Sequence, residues 1–167
     1  MEPSTASHIT HARSADPGAD RPTRIQRILV AISPETPATD VLDLVVDLGR
    51  RLDAEVVAFH VRESLLPGSE WVLGEGLFTE GIQEATRLLE RVVGRLRAEG
   101  IRARAVRRVG RPGEIGRAIV EAARREQADL IVLGFHRHSL SDRLTGGGIA
   151  RQVRRLANVP VVTVPRP

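Results

Sequence analysis

From residue 28 to residue 164, short unbroken apolar runs alternate with longer stretches in which apolar residues return at every third or fourth position. The first run is Ile28, Leu29, Val30, Ala31 and Ile32, and an apolar run without polar interruption suits a strand covered on both faces. Thr36 and Pro37 then open a helix, the hydroxyl residue as cap and the proline in the first turn, where its missing N–H leaves nothing unpaired. Val41, Leu42, Val45, Leu48 and Leu52 follow at helical spacing. Asp53 marks the turn into a second apolar strand, Ala54 to Val61. Arg62 to Phe78, with Pro67, Gly68, Gly74, Gly76 and Trp71, has no period and reads as a long loop. Thr79 is placed to cap a helix running to about Ala98, with Ile82, Ala85, Leu88, Leu89, Val92 and Leu96 as its buried stripe and Gly100 as its end.

Ile101 to Val109 alternates apolar residues with arginines, the pattern of a half-exposed edge strand guarded by charge, and these arginines read as edge protection rather than nucleic-acid contacts. Gly110, Arg111, Pro112 and Gly113 lead into a helix carrying Ile115, Ala118, Ile119 and Ala122, after which Ala128 to Leu133 forms another fully apolar strand. The last stretch, Leu133 to Pro165, reads as loop, helix start at Gly146, Gly147 and Gly148, helix, and closing strand Pro160 to Val164. Strands and helices in strict alternation predict an α/β fold, an open doubly wound parallel sheet with helices on both faces and right-handed crossovers.

Ligands of such sheets bind at the carboxyl ends of the strands where the strand order reverses. If the first and fourth strands flank that point, Ser33 and Gly134 face one crevice, and the glycine triplet lies just beyond. Unpaired N–H groups at a helix start carry partial positive charge, and glycine lets a phosphate approach them. The alternative reading is that the triplet only makes a tight helix entry.

Composition narrows the function classes. The 167 residues suit one domain from residue 25 to 167, preceded by an aperiodic polar tail over residues 1–24 that offers few apolar anchors to a partner. No cysteine is present, which removes disulfides, thiolate metal sites and thiol nucleophiles. All 25 basic residues are arginine, so Schiff-base lysine chemistry and the lysine of a Walker-type loop are excluded. The net charge of +4 favours acidic partners weakly, while three Phe, one Trp and no Tyr supply no base-stacking platform for single-stranded nucleic acid. No apolar run approaches the roughly 20 residues that span a bilayer.

His136 and His138 stand two apart and would chelate a metal given a third ligand, but Asp142 is the only close carboxylate, and no metal site is assigned. Ser139 and Ser141 lack the G-x-S-x-G elbow of a hydrolase triad. His60 falls within an apolar strand and reads as a core or rim histidine rather than a catalytic base.

ILVAIS at Ile28 to Ser33, AFHV at Ala58 to Val61, VGRPGEIGRAIVEAA at Val109 to Ala123, ADLIVLG at Ala128 to Gly134 and NVPVVTV at Asn158 to Val164 together resemble the universal stress protein family over Arg27 to Pro165. The resemblance implies a five-stranded sheet of order 3-2-1-4-5. Members that bind ATP carry a glycine, two residues, a glycine, nine residues, then a glycine with serine or threonine. Laid on this chain, the pattern gives Gly134, Arg137 in place of the second glycine, Gly147, and Gly148 in place of the hydroxyl residue. Ser33 stands where these members have an aspartate. Losing one such contact costs about 1 to 3 kcal/mol. Arg137 either fills the space a glycine leaves or pairs with a phosphate.

The implied site places Ala31, Ile32, Ser33 and Val61 at the base and ribose and Gly134, Arg137, Gly147, Gly148 and Ile149 at the phosphates, with Leu133 also among the nucleotide-binding residues. ATP is the implied ligand, with Mg²⁺ entering alongside it rather than through a carboxylate cage. The resemblance also implies a cytoplasmic homodimer paired through the last strand, Pro160 to Val164, although the N-terminal tail is an alternative cover for that edge. The expected function is a dimeric binding or signalling module with a degenerate adenine-nucleotide site. Two alternatives stay open: a nucleotide-free dimerisation or adaptor protein, and a slow ATPase or autokinase, for which His136, His138 and Asp142 are the only candidate groups.

Overall fold

The computed structural model of the protein describes residues 24–34, 38–64, 81–111, 113–134 and 148–164. Its elements run β1 (Arg27–Ile32), α1 (Ala38–Leu52), β2 (Glu55–Glu63), α2 (Ile82–Ala98), β3 (Ala103–Gly110), α3 (Ile115–Arg125), β4 (Leu130–Gly134), α4 (Gly148–Leu156) and β5 (Val161–Val164). The strands form one all-parallel sheet in the order β3-β2-β1-β4-β5, the arrangement expected from the sequence.

Two apolar cores sandwich the sheet. Ile28, Val30, Ile32, Val56, Ala58, Leu130 and Val132 pack against Val41, Leu42 and Val45 of α1 and Leu89, Val92 and Leu96 of α2. Leu29, Phe59, Ile131 and Leu133 face the other way, onto Ile119, Val120, Ala122 and Ala123 of α3 and Val153 of α4. Successive strand side chains point to opposite faces, so a strand buried on both has no polar position, which is why its sequence reads as an unbroken run.

The turns carry the backbone conformations their residues permit. Asp53 (φ 51°) and Gly100 (φ 79°) take left-handed geometry at the ends of α1 and α2, where aspartate tolerates it and glycine adopts it freely. Several boundaries differ from expectation. Thr36 and Pro37 lie outside the described residues, as does Thr79. The cap of α2 is Gly81 rather than Thr79, and its N–H donates to the Glu84 side chain at 3.1 Å. Ile82 does not belong to the buried stripe: as the first helical residue it lies ahead of the covered surface and stays 40% exposed, whereas Val93 joins the core. The second strand continues past Val61 through Arg62 and Glu63 because β3 runs beside it to the register pair Glu63 and Gly110. That removes Arg62 and Glu63 from the expected loop.

The amino end of the sheet is held by charge. Glu55 accepts hydrogen bonds from Arg27 Nε at 2.9 Å and Arg104 Nε at 2.7 Å, and Arg104 also reaches Glu126 at 2.7 Å. Arg107 of β3 donates to the Ile82 carbonyl and to Thr86 Oγ1 of α2. Arg104 and Arg107 are thus engaged within the chain.

Burial pushes the Glu55 carboxyl up, but hydrogen bonds and charge from Arg104 and Arg27 outweigh it and hold the group below its ordinary 4.5. A depressed folded value means that the stabilisation is present above 4.5 and is lost as pH falls through the folded value. Glu63 acts in the opposite sense, since burial raises its carboxyl and its ionised form opposes folding at neutral pH. A Glu55→Gln variant is therefore expected to melt below the wild type at neutral pH, with the gap closing in acid below 4.5. Thermal melts of both proteins across pH check this, and a gap that persists in acid would assign the effect to packing rather than charge.

Candidate functional site

The strand order places the reversal between β1 and β4: the crossover from β1 leads towards β2, and that from β4 leads towards β5 on the other side. The two strands run in register, with Ala31 opposite Leu133 on one flank and Phe59 on the other. In open sheets of this kind ligands bind at the carboxyl ends of the strands that flank such a reversal.

Four of the residues expected at the site meet on one face. Leu133 is buried in the α3–α4 core, and Ala31, Val61 and Ile149 pack partly buried against it. Ser33 follows the end of β1 and Gly134 ends β4; both are half-buried. Gly148 opens α4 with φ 66°, a left-handed geometry in which a β-carbon crowds the backbone. A serine there would carry that strain, which gives a physical reason for glycine where ATP-binding relatives are expected to have a hydroxyl. Ile32 is not brought together with the others through its side chain, which turns into the α1–α2 core and is 6% exposed. Its contribution to the crevice is backbone. Arg137 and Gly147 lie outside the described residues, together with His136, His138, Ser139, Ser141, Asp142 and Trp71.

Sequence reasoning missed the residue that seats α4. Gln152, one turn into that helix, accepts the Gly116 N–H through Oε1 at 3.1 Å and donates from Nε2 to the Gly113 carbonyl at 3.4 Å, capping the start of α3. At the far end Arg124 of α3 donates to the Leu156 carbonyl at 3.3 Å. The helix that Gly148 opens is thus held to α3 at two levels. The close approach needs Gly116, because a β-carbon there would lie 2.4 Å from Gln152 Oε1 and 2.9 Å from its Cβ. Gly116→Ala is expected to displace α4 and cost about 1 to 3 kcal/mol, the usual range for an overpacked contact. Urea unfolding checks it, and a variant as stable as wild type would mean that Gln152 swings aside freely.

A similar contact lies on the β2 side. A β-carbon on Gly110 would sit 2.5 Å from Val61 Cγ1, so the end of β3 lies close against Val61. His60 of β2 is 2% exposed, as a core histidine should be, and its Nδ1 lies 2.7 Å from the Ile32 carbonyl oxygen. No group of three or more His, Cys, Asp or Glu among the described residues is arranged to hold a metal ion. Nor is any described helix long and apolar enough to cross a membrane.

The architecture is that of an open α/β domain whose strand order reverses between β1 and β4, with a glycine-opened helix following β4. The model of the universal stress protein family matches residues 24–165, and the chain belongs to that family. Among solved structures the chain is similar to the universal stress protein from Archaeoglobus fulgidus in complex with dAMP, at 28% identity and a TM-score of 0.60 over 83% of this chain and 96% of that one. It is also similar to a universal stress family protein from Burkholderia pseudomallei, at 25% identity and a TM-score of 0.63 over 85% of this chain and 97% of that one. The universal stress protein from Lactobacillus plantarum, 21% identical with a TM-score of 0.67 over 84% and 98%, shares the fold. Comparison with curated proteins found no match.

Proposed function

We propose that this protein is a nucleotide-binding universal stress protein, a dimeric binding or signalling module with its adenine-nucleotide site at the carboxyl ends of β1 and β4. The observation that carries the reading is the convergence of Ala31, Val61, Leu133 and Ile149 on one face beside the start of α4. An apolar wall next to a helix N-terminus suits a flat base at one end and an anionic phosphate at the other. The dAMP held by the Archaeoglobus fulgidus protein supports an adenine nucleotide as ligand class.

In this reading Ala31, Val61 and the Ile32 backbone contact the base, Ser33 the sugar, and Gly134, Arg137, Gly147, Gly148 and Ile149 the phosphates. Mg²⁺ arrives with ATP. Dimerisation runs through β5, a four-residue strand at the edge of the sheet, paired among the described residues only with β4.

Calorimetric titration of the nucleotide-stripped protein with Mg-ATP, AMP, dAMP and GTP tests the site. Adenine nucleotides are expected to bind with a Kd of about micromolar order, near −8 kcal/mol, and GTP more weakly. Heat no larger than dilution at millimolar nucleotide would overturn the nucleotide reading and leave an adaptor of the same fold. Sedimentation equilibrium tests the dimer, with twice the chain mass expected.

A further inference from the structure

The arginines of this chain are balanced differently on its two helical layers. On the α1–α2 side Asp40, Asp43, Asp47, Glu84 and Glu90 stand among the basic residues, and Arg50, Arg51 and Arg95 pair with Glu99, Asp47 and Asp43. On the other side α3 sets Arg117, Arg124 and Arg125 against Glu121, and α4 carries Arg151, Arg154 and Arg155 with no carboxylate. Of the glutamates flanking α3, Glu114 stands at its start and Glu126 is taken by Arg104. Arg154 donates to Thr163 Oγ1 at 2.5 Å, and Arg124 to the Leu156 carbonyl. Arg117, Arg125, Arg151 and Arg155 are exposed, and none has an ion pair or side-chain hydrogen bond among the described residues. Contacts between the helices gather most of this charge. Gly116 meets Gln152 at one level and Arg124 meets Leu156 at the next, which puts Arg117 near the level of Arg151 and Arg124 near that of Arg155. Separations of four and seven residues return to the same helix face, so Arg151 lies about 6 Å from Arg155 along its helix and Arg117 about 10 Å from Arg124.

We propose that Arg117, Arg124, Arg151 and Arg155 form a docking face for the phosphodiester backbone of a nucleic-acid duplex, bound without reading its sequence. The face offers charge and little else. The large hydrophobics exposed among the described residues are Ile82 and Val109, on α2 and β3, so α3 and α4 supply no apolar anchor for a protein interface or a membrane surface. Guanidinium groups stay charged and take phosphate oxygens in bidentate pairs. Single strands are held by stacking on aromatic rings, and neither helix contains one. A duplex needs no such ring, because its closely spaced phosphates are recognised by charge alone. The face is separate from the proposed nucleotide site and does not depend on it.

Fluorescence anisotropy of labelled DNA and RNA duplexes of one mixed sequence, titrated with the full chain, tests this. Binding of either duplex is expected, and four phosphate contacts should make it about a hundredfold weaker at about 200 mM salt than at about 50 mM. The double variant Arg151→Gln, Arg155→Gln is expected to bind more than about tenfold more weakly at the lower salt and to show only about a tenfold dependence on salt. Glu121→Gln, which removes the carboxylate of that face, is expected to tighten binding. The control is Arg87→Gln, Arg91→Gln, an equal loss of charge from exposed positions of α2, expected to stay within about threefold of wild type. Thermal melts check that each variant is folded. Absence of binding at the lower salt would overturn the proposal. Equal weakening by the two double variants would also overturn it, because the attraction would then belong to net charge rather than to this face. Binding to phosphatidylserine vesicles without binding to either duplex would overturn it as well, by moving the partner to a membrane surface.

Discussion

Phe59→Ala is expected to lower the stability of the protein by about 3 to 5 kcal/mol, the range for removing a fully buried phenylalanine. Phe59 is the bulkiest of the fully buried side chains and stands in β2 between register partners Ala31 and Val106. It projects into the α3–α4 core, where its neighbours among the described residues are aliphatic. The helices there are tied to each other through Gln152 and Gly116 and cannot collapse independently onto the cavity. The cavity would also open beside Ala31 and Val61, so adenine-nucleotide affinity should fall in parallel. Urea denaturation is the measurement, with the midpoint falling and the slope unchanged. A loss below about 1 kcal/mol would mean that the core refills, contrary to the packing described here.

Asp129→Ala is expected to cost about 2 to 3 kcal/mol, from two charge-assisted hydrogen bonds discounted for partial exposure. Asp129 Oδ2 accepts the N–H groups of Gln26 and Arg27 at 2.8 and 2.9 Å, while its own N–H donates to the Arg27 carbonyl at 2.8 Å. One side chain thus fastens the entry of β1, the central strand, to the entry of β4. Asparagine keeps an accepting oxygen without the charge, so Asp129→Asn should recover more than half of the loss. Chemical denaturation of both variants settles it. An alanine variant within about 0.5 kcal/mol of wild type would place this carboxylate among ordinary surface groups.

How much of this was legible in the chain depends on the range of the interaction. Helical stripes such as Val41, Leu42 and Val45, and apolar runs such as Leu130 to Leu133, are local statements about burial, and they located all five strands and the four described helices to within a few residues. Ile82 shows the limit, since it kept the helical period yet lay one turn ahead of the surface that covers the stripe. The glycine triplet pointed to the start of α4, and the β1 and β4 ends pointed to the crevice. Gln152 left no local signal. Its partners are Gly116, 36 residues away, and Gly113, 39 residues away, and a glutamine on a helix reads as a solvated position.

The sequence by itself determined the alternation of strands and helices, the parallel class of sheet and the family resemblance, because periods of 2 and 3.6 residues encode which faces are buried. Only the tertiary structure decided which of two adjacent apolar residues looks into the crevice. In a strand covered on both faces Ala31 and Ile32 are equally apolar, and the alternation that would tell them apart is erased; the sheet turns Ala31 towards α3 and α4 and Ile32 towards α1 and α2. It also decided the polar fastenings, from His60 on the Ile32 carbonyl, 28 residues away, to Asp129 on Gln26 and Arg27, 103 and 102 residues away. A hydrogen bond is a matter of distance and direction, and no spacing along the chain specifies either until the strands are side by side.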